Sequence, residues 1–541
     1  MTTASTHRKR ATSVLIGASA LALVLASCAA GGDTGATGDG AILVGTTDKV
    51  VTLDPAGSYD NGSFAVQNQV YAFLLNSPLG SPDPEPDLAE SAEFTSPTEY
   101  TVTLKPGLKF ANGNDLTASD VKFSFDRQLE IAAPDGPSSL LYNLESTDAV
   151  DDTTVVFTLK AANDQVFPQI LTTFPGAIVD EDVFSATELT PDADIVAGEA
   201  FNGQYTIATY DFNKTIEFVP NENYAGLLGP AQNSSVILSY NADSSNLKLD
   251  VQEGNVDVAY RSLSATDVAD LRGDDGVVVH DGPGGEIRYI VFNFDTQPYG
   301  ATTAEADPAK ALAVRQAVAS LVDRAEIADQ VYKGTYTPLY SFVPEGFTGA
   351  TEVLKDLYGD GEGGPDATKA ADLLSAAGVT TPVTLSLQYS PDHYGPSSGD
   401  EYALVKSQLE ATGLFTVDLQ STEWVQYSED RVSDVYPAYQ LGWFPDYSDA
   451  DNYLTPFFLT ENFLANHYSN PAVDELITEQ GVTSDVAART ALIEQIQATV
   501  AEDLSTLPLL QGAQVAVSGT DVDGVTLDAS FKFRFAGLVK G

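Results

Sequence analysis

Residues 86–127 read PDLAESAEFTSPTEYTVTLKPGLKFANGNDLTASDVKFSFDR. Within this stretch one periodicity hands over to another. Val102 and Leu104 alternate with polar residues, Pro106-Gly107 offers a turn, and Leu108 and Phe110 resume the alternation. That pattern predicts a β-hairpin closed at Pro106-Gly107. Next comes Thr117-Ala118-Ser119-Asp120, the spacing at which a hydroxyl and a carboxylate satisfy the free N–H groups of a helix start. Val121, Phe125 and Leu129 follow at helical spacing. A strand pair running straight into a helix points to an α/β protein.

The same mixture extends in both directions. Upstream, Ile42-Leu43-Val44 reads as a short buried strand, and Thr52 to Pro55 turns out of it. Residues 64–75 place Val66, Val70, Phe73 and Leu74 on one helical face, and the prolines from Pro78 to Pro86 end that pattern. Downstream, 153–160 reads as a strand, and 205–207 with 215–219 as a strand pair. A strand at 235–239, a helix at 244–253 stopped by Gly254, and a strand at 256–259 make a βαβ unit. The apolar run 289–294 suits a central strand, and Asp307-Pro308 opens a helix carrying Val314, Val318, Leu321 and Val322. Further on come a helix at 369–377 before Gly378, a strand at 383–387, and a last long helix through Leu492, Ile496, Val500 and Leu504. No tandem repeat is visible.

With 541 residues the chain exceeds one hydrophobic core and fits two or three domains. Its 77 acidic against 26 basic side chains give a net charge of −51. Such a surface repels phosphate backbones, which excludes nucleic acid as a partner. The only cysteine is Cys28, and the four histidines (His7, His280, His393, His467) show no metal-ligand spacing, so neither a metal site nor any cofactor is expected. Gly359 to Gly364 lacks the ligand order of a calcium loop and the lysine of a phosphate loop, and reads as a surface loop.

Arg8, Lys9 and Arg10 precede an apolar run at 11–26, too short to span a bilayer with confidence and suited to a signal peptide. Leu25-Ala26-Ser27-Cys28 resembles the lipobox of bacterial lipoproteins. The resemblance implies cleavage after residue 27 and a lipid anchor on Cys28, which two acyl chains hold stably. Residues 28–40 then form a Gly/Thr/Ala/Asp-rich tether to a body outside the cytoplasmic membrane, at a cell surface or in a periplasm.

The stretch 86–127 also closely resembles the signature block of the family 5 extracellular solute-binding proteins, the dipeptide- and oligopeptide-binding proteins of ABC importers. Pro86-x-Leu88-Ala89-x-Ser91, Asn112-Gly113 and Leu116-Thr117-Ala118-x-Asp120-Val121 carry it. Leu53-Asp54-Pro55, Asn202-Gly203-Gln204-Tyr205, Asn221 to Gly226 and Gly254-Asn255-Val256-Asp257 follow the family order. So do Val314-Arg315-Gln316-Ala317-Val318, Gly442-Trp443-Phe444-Pro445-Asp446-Tyr447, His467 to Pro471 and Leu507-Pro508-Leu509. The likeness runs from about residue 42 to the end.

It implies a two-lobe periplasmic-binding-protein-like fold of the large, three-subdomain, type II kind. Lobe I would comprise 41–75, 200–290 and 505–541, with a subdomain at 76–199 inserted, and lobe II would be 291–504. The crossings near 292–295 and 502–507 would form the hinge for closure on a ligand. The resemblance further implies a short-peptide ligand, permease subunits of an ABC importer as partners, a monomer, and no catalysis. Two alternatives stand beside it: another solute on the same fold (an oligosaccharide, a nickel complex or an opine), and a secreted hydrolase.

In this family an aspartate at the place of Asp446 pairs with the ligand's ammonium group. Trp443 and Trp424 are expected near the cleft, with Tyr447, and with Tyr59 of loop 57–62. Oligopeptide binders can carry an arginine two residues before the Gly-Trp, where this chain has Gln440. Glutamine supplies no charge for a ligand carboxylate. Arg431 or a lobe I group is the expected substitute.

Overall fold

The computed structural model describes residues 40–541 apart from 396 and 531. The expected signal peptide, Cys28 and nearly all of the expected tether lie outside the described residues.

One large mixed sheet runs through the body. Its strands follow the order Phe415–Ser421, Val383–Tyr389, Ala438–Trp443, Val277–Phe292, Thr506–Gly519, Val258–Tyr260, Ile42–Thr46, Val236–Tyr240, Thr215–Pro220 and Tyr205–Asp211. Tyr336–Pro338 also pairs with Thr506–Gly519. The expected βαβ unit is present: the strands at 236–240 and 258–260 both lie parallel to Ile42–Thr46, one on each side, and helix Ser244–Glu253 makes the crossover. Gly254 ends that helix with φ 71°, a left-handed conformation that a Cβ would disfavour.

Two long antiparallel strands, Val277–Phe292 and Thr506–Gly519, form the ribbon at the middle of the sheet. Side chains from the two ends of the ribbon enter different cores. Ala516 packs with Ile42, Val44, Phe64, Phe218 and Phe535 in a core built from the N-terminal half and the C-terminal tail. Ile287, Ile290, Leu507 and Leu510 pack with Val318, Leu385, Tyr439 and Ile496 in a second core. The register of the ribbon shifts between Pro283 and Ile287. The changeover between cores therefore falls near 280–286 and 511–514.

A third core joins Leu88, Val102, Phe110, Val121, Phe125, Phe157 and Ile170 under a separate four-stranded sheet. Phe174, Phe184 and Ile195, from the end of the expected insertion, pack instead into the first core. Helix Ala118–Ile131 starts as read, with Thr117 and Asp120 forming a reciprocal capping box. The hairpin does not close at Pro106-Gly107. Glu99–Leu104 pairs with Ala89–Ser96 on one side and Thr154–Leu159 on the other, and Leu108 and Phe110 are buried without joining a ladder.

The helix expected at 64–75 is Asn61–Val70, capped by Asp60. Beyond it the chain is extended, with Ala72 N–H donating to Asn202 Oδ1 and Leu88 N–H to the Phe73 carbonyl. Phe73 and Leu74 mimic a helical face because this extended segment is buried on both sides.

Candidate functional site

The sequence Gly442 to Tyr447 leaves the end of strand Ala438–Trp443 and enters a loop held by Asn452. Asn452 Oδ1 accepts from Trp443 Nε1 at 2.8 Å and from the Asp446 backbone N–H at 2.9 Å. Its Nδ2 donates to Asp446 Oδ2 at 3.3 Å. One amide thus fixes both the tryptophan and the carboxylate. Trp443 is otherwise packed against Phe457 and Phe463, and contacts other aromatic rings more than open space.

Asp446 reaches across to the first core's side of the molecule. The Tyr59 hydroxyl donates to Asp446 Oδ1, and Thr173 Oγ1 donates to the Asp446 carbonyl at 3.1 Å. Tyr59 is itself braced edge-on by Phe174, 4.9 Å between ring centres. Burial pushes the Asp446 carboxyl above its ordinary pKa, against the lowering effect of the Tyr59 and Asn452 hydrogen bonds. Among the described residues no basic side chain forms an ion pair with it. Its acidic neighbours are not a solvated loop. Asp449 takes both ends of the Arg489 guanidinium at 2.7 Å, and Asp451 accepts from Tyr447, Thr455 and Gln480. Tyr447 thus points to Asp451 and not to Asp446.

A cavity of about 390 Å³ opens between residues of the two main cores. Arg261, Ser262 and Gln514 line one side, Tyr332, Tyr336, Tyr394 and Phe444 the other, and Glu286 lies on the ribbon between them. Arg261 and Ser262 have φ of 57° and 66°, a strained backbone at the cavity wall. Arg261 pairs with Asp48 at 3.1 Å and lies over the Phe444 ring.

Trp424 opens helix Trp424–Arg431 and stacks flat on His393, with ring centres 3.6 Å apart, and edge-on against Tyr394. It supports the cavity wall through Tyr394 and is not among the lining residues. Gln440 is fully buried, accepting from Ser390 N–H and donating to Ser398 Oγ, so it faces the second core. Arg431 is buried too, over the Phe463 ring with Nη1 donating to the Phe463 carbonyl. Among the described residues no carboxylate pairs with it.

Sequence reading missed Asn452 and Arg288. Asn452 stands in a polar run with no pattern of its own. Arg288 interrupts an apolar strand, and the Glu286-x-Arg288 alternation, two charges on one strand face, was its available signal. Also passed over was Gly395-Pro396-Ser397-Ser398-Gly399, a G-x-S-x-G pattern. A nucleophile elbow requires the serine on a sharp turn directly after a strand. Here the preceding strand ends at Tyr389, and among the described residues no histidine hydrogen-bonds to Ser397.

Two cores joined by a β-ribbon, with a cavity between them, define a solute-binding protein of the two-lobe periplasmic class. Comparison with known proteins agrees. The bacterial extracellular solute-binding proteins, family 5 (middle region), match residues 83–464. The probable D,D-dipeptide-binding periplasmic protein DdpA of Escherichia coli is 26% identical, covering 89% of this chain and 90% of its own. Heme-binding protein A of Haemophilus influenzae is 25% identical, covering 85% of each. Among solved structures, HbpA2 of Haemophilus parasuis superposes with a TM-score of 0.79 at 21% identity, over 93% of this chain and 100% of its own. The open form of the murein tripeptide binding protein MppA gives 0.77 at 19% identity, over 93% and 97%. The chain belongs to the family 5 bacterial extracellular solute-binding proteins. Within the described residues no helix is long and apolar enough to cross a membrane.

Proposed function

We propose that this protein captures short peptides between its lobes and passes them unchanged to the permease of an ABC importer. The carrying observation is Asp446, a carboxylate held by Tyr59 and Asn452 two residues beyond Phe444 of the cavity wall, with no cationic side chain paired to it among the described residues. A ligand ammonium supplies the missing charge, and the hydrogen bond it makes is stronger for being shielded from water. The cavity of about 390 Å³ is at the small end for a ligand site, in keeping with a short peptide. Related proteins named for dipeptide, di/tripeptide and glutathione binding support the choice of peptide over other solutes.

On this reading lobe I comprises 41–75 with the insertion beginning at 76, the strands from 200 to about 280, and the tail from about 515. Lobe II lies between, and the ribbon at 280–286 and 511–514 is the hinge. Opening separates Tyr59 and Thr173 from Asp446. The protein acts as a monomer anchored through a lipid on Cys28, and it performs no chemistry on its cargo.

The test is calorimetric titration with short peptides bearing free or acetylated amino termini. Free peptides are expected to bind at least tenfold more tightly. Equal affinity for the two forms removes Asp446 as the ammonium receptor.

A further inference from the structure

Proposed peptide ligands end in a carboxylate, and Gln440 is turned into the second core. A cation for that carboxylate has to come from elsewhere. Arg288 stands on the ribbon strand, its side chain 6% exposed. Nη2 is satisfied, lying 2.5 Å from Glu286 Oε1 and donating to Tyr336 Oη at 3.1 Å. Nε and Nη1 have no partner, although both are buried. Orphaned N–H groups on a buried cation are costly, and native structures rarely keep them without a use.

The surroundings of this guanidinium connect it to the cavity. Its faces lie against the Tyr394 ring, 4.8 Å to the ring centre, and the Tyr336 ring at 5.7 Å. Both tyrosines and Glu286 line the cavity. Arg288 is paired across the sheet with Gly442, the first residue of the Gly442–Tyr447 landmark. A Cβ on Gly442 would come 3.1 Å from Nη1 and 2.9 Å from the Tyr394 ring, so glycine there leaves the guanidinium free to face that strand. Burial works against the charge on Arg288, but Glu286 and the nearby tyrosines outweigh it and keep the group protonated.

We infer that Arg288 is the receptor for a carboxylate on the bound solute, with Glu286 as its internal partner and Tyr394 as the cover over its free N–H groups. A carboxylate oxygen accepting from Nε or from Nη1 makes a charge-assisted hydrogen bond that glutamine at 440 does not provide. Neither Arg288 nor Arg431, the other buried guanidinium with an unpartnered Nε, lines the cavity itself, but Arg288 lies directly behind Glu286, Tyr336 and Tyr394, which do, whereas Arg431 stacks on Phe463, which does not. This inference rests on the interlobe cavity being the binding site, but not on the ligand being a peptide.

The test offers two pools to the full-length body: short peptides, and small non-peptide carboxylic acids. Each pool is paired with its carboxamide counterparts, and uptake is read by native mass spectrometry. The wild type is expected to take free acids over amides at least tenfold. Arg288→Gln should abolish that preference, and Arg288→Lys should retain part of it. Glu286→Gln, which frees Arg288 from its competing carboxylate, should raise uptake of the small acids at least threefold. That variant also keeps the question open to experiment if Arg288→Gln does not fold. Acid preference in the non-peptide pool alone upholds Arg288 and sinks the peptide reading. No preference for acid over amide in either pool, or a preference unchanged in folded Arg288→Gln, overturns the role of Arg288.

Discussion

Asp446 illustrates how much one side chain's meaning depends on its neighbours. In the sequence it is one acid among several in a short loop. In the structure Asp449 is taken by Arg489 and Asp451 by Thr455, Tyr447 and Gln480, whereas the Asp446 carboxylate is held by Tyr59 and Asn452 alone. Asp446→Asn is predicted to weaken binding of free-amine peptides by about 1.5–3 kcal/mol, the scale of a hydrogen bond to a charged group. Calorimetry at neutral pH measures this directly. Because burial raises the Asp446 pKa, the carboxylate takes up a proton at a higher pH than an exposed aspartate does. Peptide affinity should therefore decline on acidification before ordinary carboxylates titrate, and the Asn variant should show no such decline.

Glu401 carries a second prediction at this scale. It is fully buried, accepting from the Tyr332 hydroxyl at 2.7 Å, and burial pushes its pKa up to about 7. The folded state then holds a proton that the unfolded chain releases near the ordinary glutamate pKa of about 4.3. Its contribution to stability is present at low pH and is lost as pH rises through about 7. Glu401→Gln should remove that loss, raising the melting temperature at pH 8 relative to wild type while changing it little at pH 4. A variant no more stable at pH 8 would show that Glu401 is ionised without penalty.

At the scale of elements, two separate sequence landmarks turn out to be halves of one interaction. Arg127, which ends the stretch 86–127, meets Asp54 of Leu53-Asp54-Pro55 in a two-pronged ion pair at 2.8 and 2.9 Å, with both side chains buried. Asp54 Oδ2 also accepts from Thr190 N–H at 2.7 Å. The pair ties helix Ala118–Ile131 of the third core to the loop leading to Tyr59. Arg127→Met should destabilise the protein by about 3–5 kcal/mol, the cost of leaving a buried charge unpaired. Adding Asp54→Asn should recover part of the loss in denaturant unfolding. Full additivity of the two substitutions would mean the pair is not coupled.

The local chemistry of helix ends was legible in the chain. Thr117 with Asp120, Asp307 before Pro308, and Gly254 each do what their residue types predict, because caps are satisfied within a few residues. Strand partnership was not. Pro106-Gly107 is a stronger local turn signal than Pro97-Thr98, yet Tyr100 and Val102 pair with Phe157 and Val155, more than fifty residues away. The site divides in the same way. Asp446 and Tyr59 could be named from motif and loop position. Arg288 meets Gly442 only through the pairing of two distant strands, which no spacing along the chain encodes, and Asn452, though close to Asp446 in the chain, stands in a loop with no periodic pattern to mark it.

For the whole molecule, the division into cores places the cavity beside the ribbon that joins them, where the proposed motion of lobes would have most leverage. The ribbon joins the cores through its register shift at Pro283–Ile287, and Glu286 and Gly512 sit beside that shift on the cavity wall. The high acidic charge belongs to this scale as well, acting on the protein's solubility and its encounters and not on any single contact. The proposed anchor is tested by Cys28→Ser, which should move the protein from the membrane to a soluble or unprocessed fraction. Continued lipid modification of that variant would place the anchor elsewhere.

What all of these scales share is the claim that the protein holds a small solute and returns it unaltered. Native mass spectrometry of the protein incubated with a defined pool of short peptides tests it most directly. The expected spectrum shows one-to-one complexes whose mass increments equal intact peptides, and gentle unfolding releases those peptides whole. Shortened peptides accumulating with time, or no complex with any member of the pool, would contradict it.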